Sequence, residues 1–176
     1  MTLQEAISLI TTPVLNADAP QQWADLGCGA GLFSKALLRL LPDNSTIHAV
    51  DSRTQELAEP GILFIQADFE KDPLPFPLLN GIIMANSLHY VKNKLLLLGK
   101  LKSYLKEGGL VILVEYEKRW PNPWVPYPLR FSSAEKLFIE AGFSAPEQIA
   151  ERPSVYSSAT MYSAWCRLVP PAPSNQ

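Results

Sequence analysis

The sequence has few of the residues that build metal sites and disulfide frameworks. Its 176 residues include two cysteines and two histidines. Cys28, Cys166, His48 and His89 are so far apart in the chain that no CxxC pair and no zinc-ligand spacing arises. The sequence therefore predicts neither a metal centre nor a disulfide framework, and this is the usual condition of proteins in a reducing compartment.

Long apolar runs and a strong net charge are also lacking. The longest apolar runs, Leu95–Leu98 and Leu110–Val114, are far shorter than the roughly 18 residues that a membrane-spanning helix needs. Glu5 lies where a signal peptide would become apolar. The net charge is only −2, so no overall field draws the chain to nucleic acid or to an anionic membrane. We expect a cytoplasmic protein without nucleic-acid or membrane partners.

Proline, in contrast, is abundant, with 16 residues. Its clusters, Pro73–Pro77, Pro121–Pro128 and Pro170–Pro173, mark loops or chain ends because proline lacks an amide donor. The hydrophobic share of 47% and the charged share of 18% are typical of a globular domain. We expect one domain over residues 1–169, followed by a mobile tail, Pro170–Gln176.

Short apolar, β-branched runs alternate with longer periodic ones, a pattern typical of βαβ units on a mostly parallel sheet. Thr2 and Glu5 form a capping-box pattern that predicts a helix at the start of the chain. Further helices are predicted at Leu32–Leu41, at Lys92–Lys106 and from Ser132 or Ser133 to Gly142. Strands are predicted at Gln22–Leu26, Thr46–Val50, Ile62–Ala67, Gly81–Ala85, Leu110–Glu115, Glu147–Arg152 and Met161–Val169.

Two connections set the rest of the topology. Three prolines within Phe69–Leu79 forbid a regular helix, so the crossover between the third and fourth strands is predicted to be a loop. The last two strands leave no room for a crossover helix and should pair as an antiparallel hairpin at one sheet edge. The predicted fold class is α/β, a three-layer, doubly wound, Rossmann-like sheet of seven strands, mostly parallel with an antiparallel C-terminal hairpin.

The strongest functional signal is the glycine-rich segment Ala24–Gly31, which joins the end of a strand to the start of a helix. Its glycines let the backbone turn tightly and approach a ligand. A dinucleotide fingerprint would place its third glycine at the position of Leu32. Asp25 would also repel a pyrophosphate. A cationic nucleotide-type ligand is therefore favoured over NAD.

Acidic residues also end the next two strands. Asp51 follows the second strand, where a carboxylate commonly accepts both hydroxyls of a ribose. Asp68 follows the third, where it can accept from an adenine amino group while Phe69 offers an apolar face to the ring. Three acids thus end three consecutive strands.

The Asp-Leu-Gly-Cys-Gly-x-Gly loop and these acids resemble the class I S-adenosylmethionine-dependent methyltransferases of the small-molecule type, over about residues 20–116. The resemblance implies S-adenosylmethionine as cofactor and a small-molecule methyl acceptor. It also implies that Asp25 and the glycine loop hold the methionine part of the cofactor. Asn80 departs from the Asp that the family often has there, but at the far end from the cofactor. The expected cofactor-binding residues are Asp25, Gly27, Cys28, Gly29, Gly31, Asp51, Ser52, Asp68, Phe69 and Asn86.

The catalytic chemistry stays open between alternatives. His89 is either a general base for an oxygen nucleophile or a hydrogen-bonded residue of the site wall. Tyr90 and Glu115 are the other titratable candidates nearby. Alternatives to a methyltransferase are a catalytically inactive S-adenosylmethionine-binding module and, less favoured, an NAD-dependent oxidoreductase.

Two further segments have two interpretations each. The proline-rich loop Lys118–Arg130 carries Trp120, Trp124 and Tyr127, which either cover a ligand as a lid or close the core beneath them. The lysines of Lys92–Lys106 are expected to cover the outer face of a helix, with nucleic-acid binding as the less favoured alternative.

Overall fold

The computed structural model describes residues 1–153 and 160–170. Within them, seven strands form one sheet with the order β3-β2-β1-β4-β5-β7-β6. They are β1 (Gln22–Leu26), β2 (Thr46–Asp51), β3 (Ile62–Gln66), β4 (Leu79–Ala85), β5 (Leu105–Tyr116), β6 (Glu147–Pro153) and β7 (Thr160–Arg167). Strands β1 to β5 are parallel, whereas β7 pairs antiparallel with both β5 and β6. The predicted fold class and the C-terminal hairpin are confirmed.

Four α-helices cover the two faces of the sheet within the described residues. They are α1 (Leu3–Ile10), α2 (Leu32–Leu38), α3 (Lys94–Lys102) and α4 (Phe131–Glu140), with short 3-10 turns at Pro13–Leu15 and Leu88–Tyr90. One apolar cluster joins α1 and α2 to the sheet, and a second joins α3 and α4 to the opposite face. On β4 the side chains alternate between the two, since Ile82 and Met84 belong to one cluster and Ile83 to the other. This alternation produces the three layers.

The chain begins with the predicted capping box. The Glu5 amide donates to the Thr2 hydroxyl at 3.2 Å, and the Thr2 amide donates to the Glu5 carboxylate at 2.7 Å. The Phe69–Leu79 crossover contains no helix, as its prolines predicted. The predicted tail lies mostly outside the described residues, which end at Pro170.

Two helix boundaries were predicted wrongly at their C-terminal ends. Helix α2 ends at Leu38 rather than Leu41. Helix α3 ends at Lys102, and Leu105, predicted to be helical, pairs instead with Leu79 at the start of β5. A register shift follows that pair, and Gly108 adopts a φ of 68° inside the strand. Gly108 therefore serves a strand irregularity rather than the predicted helix end.

The start of α4 also differs from its prediction. Arg130, and not Ser132 or Ser133, is the N-cap residue, and its side chain makes no capping bond. The Glu117 carboxylate takes over this role, because it accepts the Phe131 amide at 2.8 Å.

No helix of the described chain is long and apolar enough to cross a membrane. Cys28 and Cys166 are both buried free thiols. The residues that the structure describes contain no group of three His, Cys, Asp or Glu side chains that could hold a metal ion.

Candidate functional site

A cavity of about 490 Å³ opens at the carboxyl ends of the parallel strands. Strands β1 to β4 contribute residues at or just after their carboxyl ends, because parallel strands end at the same sheet edge. We call this cavity the cofactor cavity. Most of the expected cofactor-binding residues line it: Gly27, Gly29, Asp51, Ser52, Asp68, Phe69 and Asn86. Asp25, Cys28 and Gly31 are buried and do not line it.

The glycine loop is tied to β2 through its backbone. The amides of Gly27 and Cys28 both donate to the Val50 carbonyl, at 2.8 and 2.9 Å. Gly27 has a φ of 80°, and a Cβ added to it would lie 2.5 Å from the Ser87 Cβ. Only glycine therefore lets the loop pass so close to the segment after β4.

Asp51 supports the loop from β2. One carboxylate oxygen accepts the Gly29 amide and the other the Arg53 amide, both at 2.9 Å. A carboxylate has about four lone-pair sites, so each oxygen keeps capacity for one more donor. The side chain is thus held in place and still able to accept two hydroxyls.

Asp25 lies behind the loop, with 1% of its surface exposed. The Ser34 hydroxyl donates to Oδ2 at 2.6 Å, whereas Oδ1 has no partner among the described residues. Burial raises the pKa of this carboxyl to about 7, and the negative charge of Asp51 adds to the rise while Ser34 opposes it. A cation in the neighbouring cavity would favour the ionised form.

We expect Asp25 to make the protein less stable as the pH rises from about 4 to about 7. A free carboxyl titrates near 3.9, and this one at about 7 in the fold, so the folded state binds the extra proton in this window. Stability is then lost with rising pH. In the Asp25→Asn variant this loss should disappear.

Urea unfolding at several pH values tests this expectation. The matched control is Asp18→Asn, which changes an exposed carboxylate and should keep the wild-type pH dependence. A wild-type pH dependence in Asp25→Asn would contradict the assignment.

The loop after β3 forms another wall of the cofactor cavity. The Asp68 carboxylate accepts the Lys71 ammonium at 2.7 Å and the Glu70 amide at 3.0 Å, and the Lys71 hydrogen bond holds its pKa below the usual range. The Lys100 ammonium donates to the carbonyls of Phe69 and Asp72, at 3.0 and 2.6 Å. Lys100 therefore fixes this wall, a role that its place in a lysine-rich helix did not reveal.

A second cavity of about 470 Å³ lies beside the first, and we call it the acceptor cavity. Asn86 and Tyr90 line both cavities. Asn86 has a φ of 55°, and its buried Oδ1 has no partner within the described chain. Backbone strain and an unpartnered polar atom at one residue are typical of a ligand site. The acceptor cavity is lined by Asn86, His89, Tyr90, Tyr116, Lys118, Asn122, Trp124 and Val125.

The proline-rich loop covers the acceptor cavity. It is anchored at Tyr127, whose amide donates to the His89 carbonyl at 3.0 Å and whose carbonyl accepts the Lys94 ammonium at 2.9 Å. Trp120 and Trp124 are 69% and 76% exposed. The alternative that these tryptophans close the core is therefore wrong.

His89 and Glu115 form a buried pair in the wall of the acceptor cavity. The His89 amide donates to Glu115 Oε1 at 3.0 Å, and Nδ1 of the ring lies 2.6 Å from Oε2. Their side chains are 2% and 1% exposed. The sequence placed both residues among the titratable candidates but did not predict that they pair.

Comparison with known proteins agrees with this geometry. The sequence model of a methyltransferase domain family matches residues 3–167. The chain belongs to this family. Its predicted place among the S-adenosylmethionine-dependent methyltransferases is thereby confirmed.

Relatives of this methyltransferase domain differ in what their names say they act on. This chain is 30% identical over 109 residues to the ubiquinone/menaquinone biosynthesis C-methyltransferase UbiE of Coxiella burnetii. The match covers 56% of this chain and 44% of the relative. The chain is 33% identical over 106 residues to the malonyl-[acyl-carrier protein] O-methyltransferase of Halalkalibacterium halodurans, covering 54% and 39%. The matches thus span less than half the length of these relatives.

A solved structure shares the fold of the methyltransferase domain. The 1,6-didemethyltoxoflavin-N1-methyltransferase of Burkholderia thailandensis, with 1,6-didemethyltoxoflavin and S-adenosylhomocysteine bound, superposes with a TM-score of 0.74 at 16% identity. The match covers 96% of this chain and 78% of that one.

We expect Trp124→Ala to weaken acceptor binding in this methyltransferase domain without destabilising it. Substitution of so exposed a side chain changes stability by about 0.5 kcal/mol at most, or about 2 °C in Tm, whereas the acceptor cavity loses an aromatic wall. The Michaelis constant for the acceptor should rise while cofactor affinity stays constant.

Trp120→Ala is the matched control, since Trp120 is an exposed tryptophan of the same loop that does not line the acceptor cavity. Steady-state kinetics and thermal unfolding of both variants test the expectation. A large loss of stability in Trp124→Ala with unaltered kinetics would contradict it.

Proposed function

We propose that residues 1–169 form a single domain that transfers a methyl group from S-adenosylmethionine to a small-molecule acceptor. The observation that carries this proposal is the junction of the two cavities, where Asn86 and Tyr90 line both. A donor in one cavity and an acceptor in the other would meet at these residues. Such placement replaces a bimolecular encounter by an oriented one.

The residues of the cofactor cavity fit an adenosyl sulfonium. Asp51 has lone pairs left for two ribose hydroxyls. The buried Ser87 hydroxyl has no partner in the described chain, and Gly27 keeps the space beside it open. Asp25 lies behind the glycine loop with one unpartnered oxygen, and a cation in the cavity would favour its ionised form. Asp68 and Phe69 would flank the adenine.

Bound S-adenosylmethionine supplies a methyl group made electrophilic by its sulfonium. The protein then has to orient the cofactor and the acceptor and to exclude water from between them. Lys100 holds the wall of the cofactor cavity in place, and Lys94 and Tyr127 hold the loop over the acceptor cavity. We further propose a cytoplasmic location, which the two free thiols support.

A small molecule suits the acceptor cavity better than nucleic acid. Lys94 and Lys100, which belong to the lysine-rich segment, donate to backbone carbonyls of this chain and so serve its loops. Tyr90, Tyr116 and Trp124 offer aromatic walls to a compact ligand.

Calorimetry tests the cofactor proposal. We expect S-adenosylmethionine and S-adenosylhomocysteine to bind and NAD(H) not to bind, because the carboxylate of Asp51 in the cavity wall would repel a pyrophosphate. Tight NAD binding without a response to either adenosyl ligand would refute the proposal. Assaying S-adenosylhomocysteine formation against a panel of acceptors then separates an enzyme from a binding module that has lost catalysis.

A further inference from the structure

A third cavity, of about 210 Å³, adjoins the acceptor cavity. Asn86 and Tyr116 line both of them, and of these two residues only Asn86 also lines the cofactor cavity. The other walls of the third cavity are apolar side chains, among them Leu32 and Phe33, and a single charged side chain among the described residues, that of Arg152 in β6. A guanidinium in so apolar a place needs a partner.

The ion pair of Arg152 with Glu5 of α1 uses only part of the guanidinium. Nη2 of Arg152 donates to Glu5 Oε1 at 3.0 Å, and the other oxygen of Glu5 accepts the Thr2 amide at 2.7 Å. The Thr2 amide and Arg152 lower the pKa of Glu5 to about 2, so this carboxylate is ionised at neutral pH. The capping box of α1 thereby holds one end of the guanidinium in place.

The other terminal nitrogen of Arg152, Nη1, is buried and has no hydrogen-bond partner among the described residues. The side chain as a whole is only 19% exposed. A guanidinium has five donors, and a charged donor that is buried without a partner costs more free energy than a neutral one. Such a donor in a native fold calls for an explanation, and an oxygen that arrives with a ligand provides one.

The charged residues that line the three cavities differ in sign. Acidic residues predominate in the wall of the cofactor cavity, which contains Asp51, Asp68, Glu70 and Arg53. No carboxylate of the described chain lines the acceptor cavity or the third cavity, to which Lys118 and Arg152 contribute. Glu115 and Glu5 contact these walls only as the partners of His89 and Arg152. An acidic wall suits a sulfonium, whereas a basic wall suits an anion.

We propose that the third cavity binds a carboxylate of the methyl acceptor through Nη1 of Arg152, an inference that rests on the methyl transfer proposed above. The planar guanidinium matches the geometry of a carboxylate, and the hydrogen bond between them is assisted by both charges. A phosphate has three oxygens and close to two negative charges. The described walls of the third cavity hold no second cationic side chain for it.

Anchoring by Arg152 determines which part of the acceptor faces the cofactor. An oxygen that accepts hydrogen bonds from a guanidinium is a weaker nucleophile than a free one, so the carboxylate is not the methylated group. From Arg152 the acceptor extends past Tyr116 into the acceptor cavity, toward Asn86 and Tyr90, where the cofactor cavity adjoins. Arg152 is therefore a specificity residue that orients the acceptor.

The methionine part of the cofactor also carries a carboxylate and is the competing occupant. The third cavity shares two lining residues with the acceptor cavity and one with the cofactor cavity, which favours the acceptor. S-adenosylhomocysteine and methylthioadenosine, which lacks the amino-acid part, distinguish the two occupants. We expect Arg152→Met to leave the affinity for both within twofold of wild type. A loss of affinity confined to S-adenosylhomocysteine would assign Arg152 to the cofactor and overturn the proposal.

Calorimetry on the protein saturated with S-adenosylhomocysteine tests the carboxylate site with two matched pairs of probes. They are 2-naphthoate with 2-naphthamide, and 4-phenylbutanoate with 4-phenylbutanamide. We expect each carboxylate to bind at least about 10-fold more tightly than its amide, the usual scale for one hydrogen bond between charged groups. The Arg152→Met variant, which lacks both donors and charge, should bind carboxylate and amide equally.

Two control variants separate the loss of this site from other effects. Arg39→Met makes the same change of charge at a side chain that is 64% exposed and lines none of the three cavities, so it should keep the preference for carboxylates. Glu5→Gln removes the ion pair with Arg152 but leaves the guanidinium, and it should keep the preference as well. Thermal unfolding shows whether each variant folds, and the wild-type comparison of carboxylate with amide needs no variant.

Equal binding of carboxylates and amides by the wild type, or no binding of either carboxylate, would overturn the proposal. A preference that survives in Arg152→Met would do the same. Tighter binding of 2-naphthyl phosphate than of 2-naphthoate would show a phosphate site in place of the proposed carboxylate site. Failure of the wild type to bind any adenosyl ligand would instead refute the proposed function itself.

Discussion

Asp51→Ala should raise the dissociation constant for S-adenosylhomocysteine by about 100-fold, because two hydrogen bonds to a charged acceptor contribute at least about 1.5 kcal/mol each. The same carboxylate also holds the Gly29 and Arg53 amides, so the glycine loop loses a support. Asp51→Asn keeps one acceptor oxygen, so its dissociation constant should lie between those of Asp51→Ala and the wild type. Calorimetry measures all three constants.

Asp43→Ala is the matched control for this experiment. Asp43 is exposed in the turn before β2, at the opposite end of the strand from Asp51, and its replacement changes the net charge equally. Thermal unfolding separates lost affinity from lost structure. An unchanged dissociation constant in Asp51→Ala would contradict the role assigned to Asp51.

Gly81→Ala should destabilise the fold by about 3 kcal/mol, the upper part of the usual range for an overpacked core, and lower Tm by about 10 °C. A Cβ added at Gly81 in β4 would lie 2.4 Å from two ring atoms of Trp23. The indole is fully buried in β1, the neighbouring strand, and has no room to move.

Gly99→Ala serves as the control, because a Cβ there meets nothing within 4 Å. Gly99 lies inside α3, so alanine should stabilise the protein by about 0.5–1 kcal/mol. Trp23→Phe removes the clashing ring atoms and should make Gly81→Ala less costly in the double variant. Equal costs in both backgrounds would show that the clash is not the cause.

The strands were predictable because their signal is local. The residues of β1 match the predicted Gln22–Leu26 without error, and those of β2 and β3 differ by one residue at their ends. Gly27 directly follows β1 and Gly61 directly precedes β3, and the effect of a glycine on the backbone is local. The crossover after β3 was predicted to be a loop for the same reason.

The predicted ends of helices and strands were wrong where residues distant in the sequence determine them. Leu105 joins β5 because Leu79 offers a partner in β4. Helix α4 begins at Phe131, before both predicted serines, because Glu117, fourteen residues earlier in the chain, accepts the Phe131 amide. The hydrophobic periodicity of a helix segment does not reveal such a partner, whether Leu79 for Leu105 or Glu117 for Phe131.

The candidate site also has features that the sequence predicted and features that it did not. The order of Asp25, Asp51 and Asp68 at successive strand ends, together with the glycine loop, predicted the family and the cofactor cavity. The sequence did not predict that Asp25 would be buried behind the loop rather than line the cavity. The burial of a residue depends on which other parts of the chain pack against it, and Ser34 of α2 contacts Asp25 here.

By itself the sequence determined the fold class, the glycine loop and the row of acids, because strand periodicity and turn chemistry act within a few residues. Only the tertiary structure decided that Trp124 faces solvent over a cavity, that Lys100 holds the wall after β3, and that His89 meets Glu115. Twenty-six residues separate that last pair along the chain. The two side chains meet because β5 pairs in parallel with β4, which brings the ends of both strands to the same edge of the sheet.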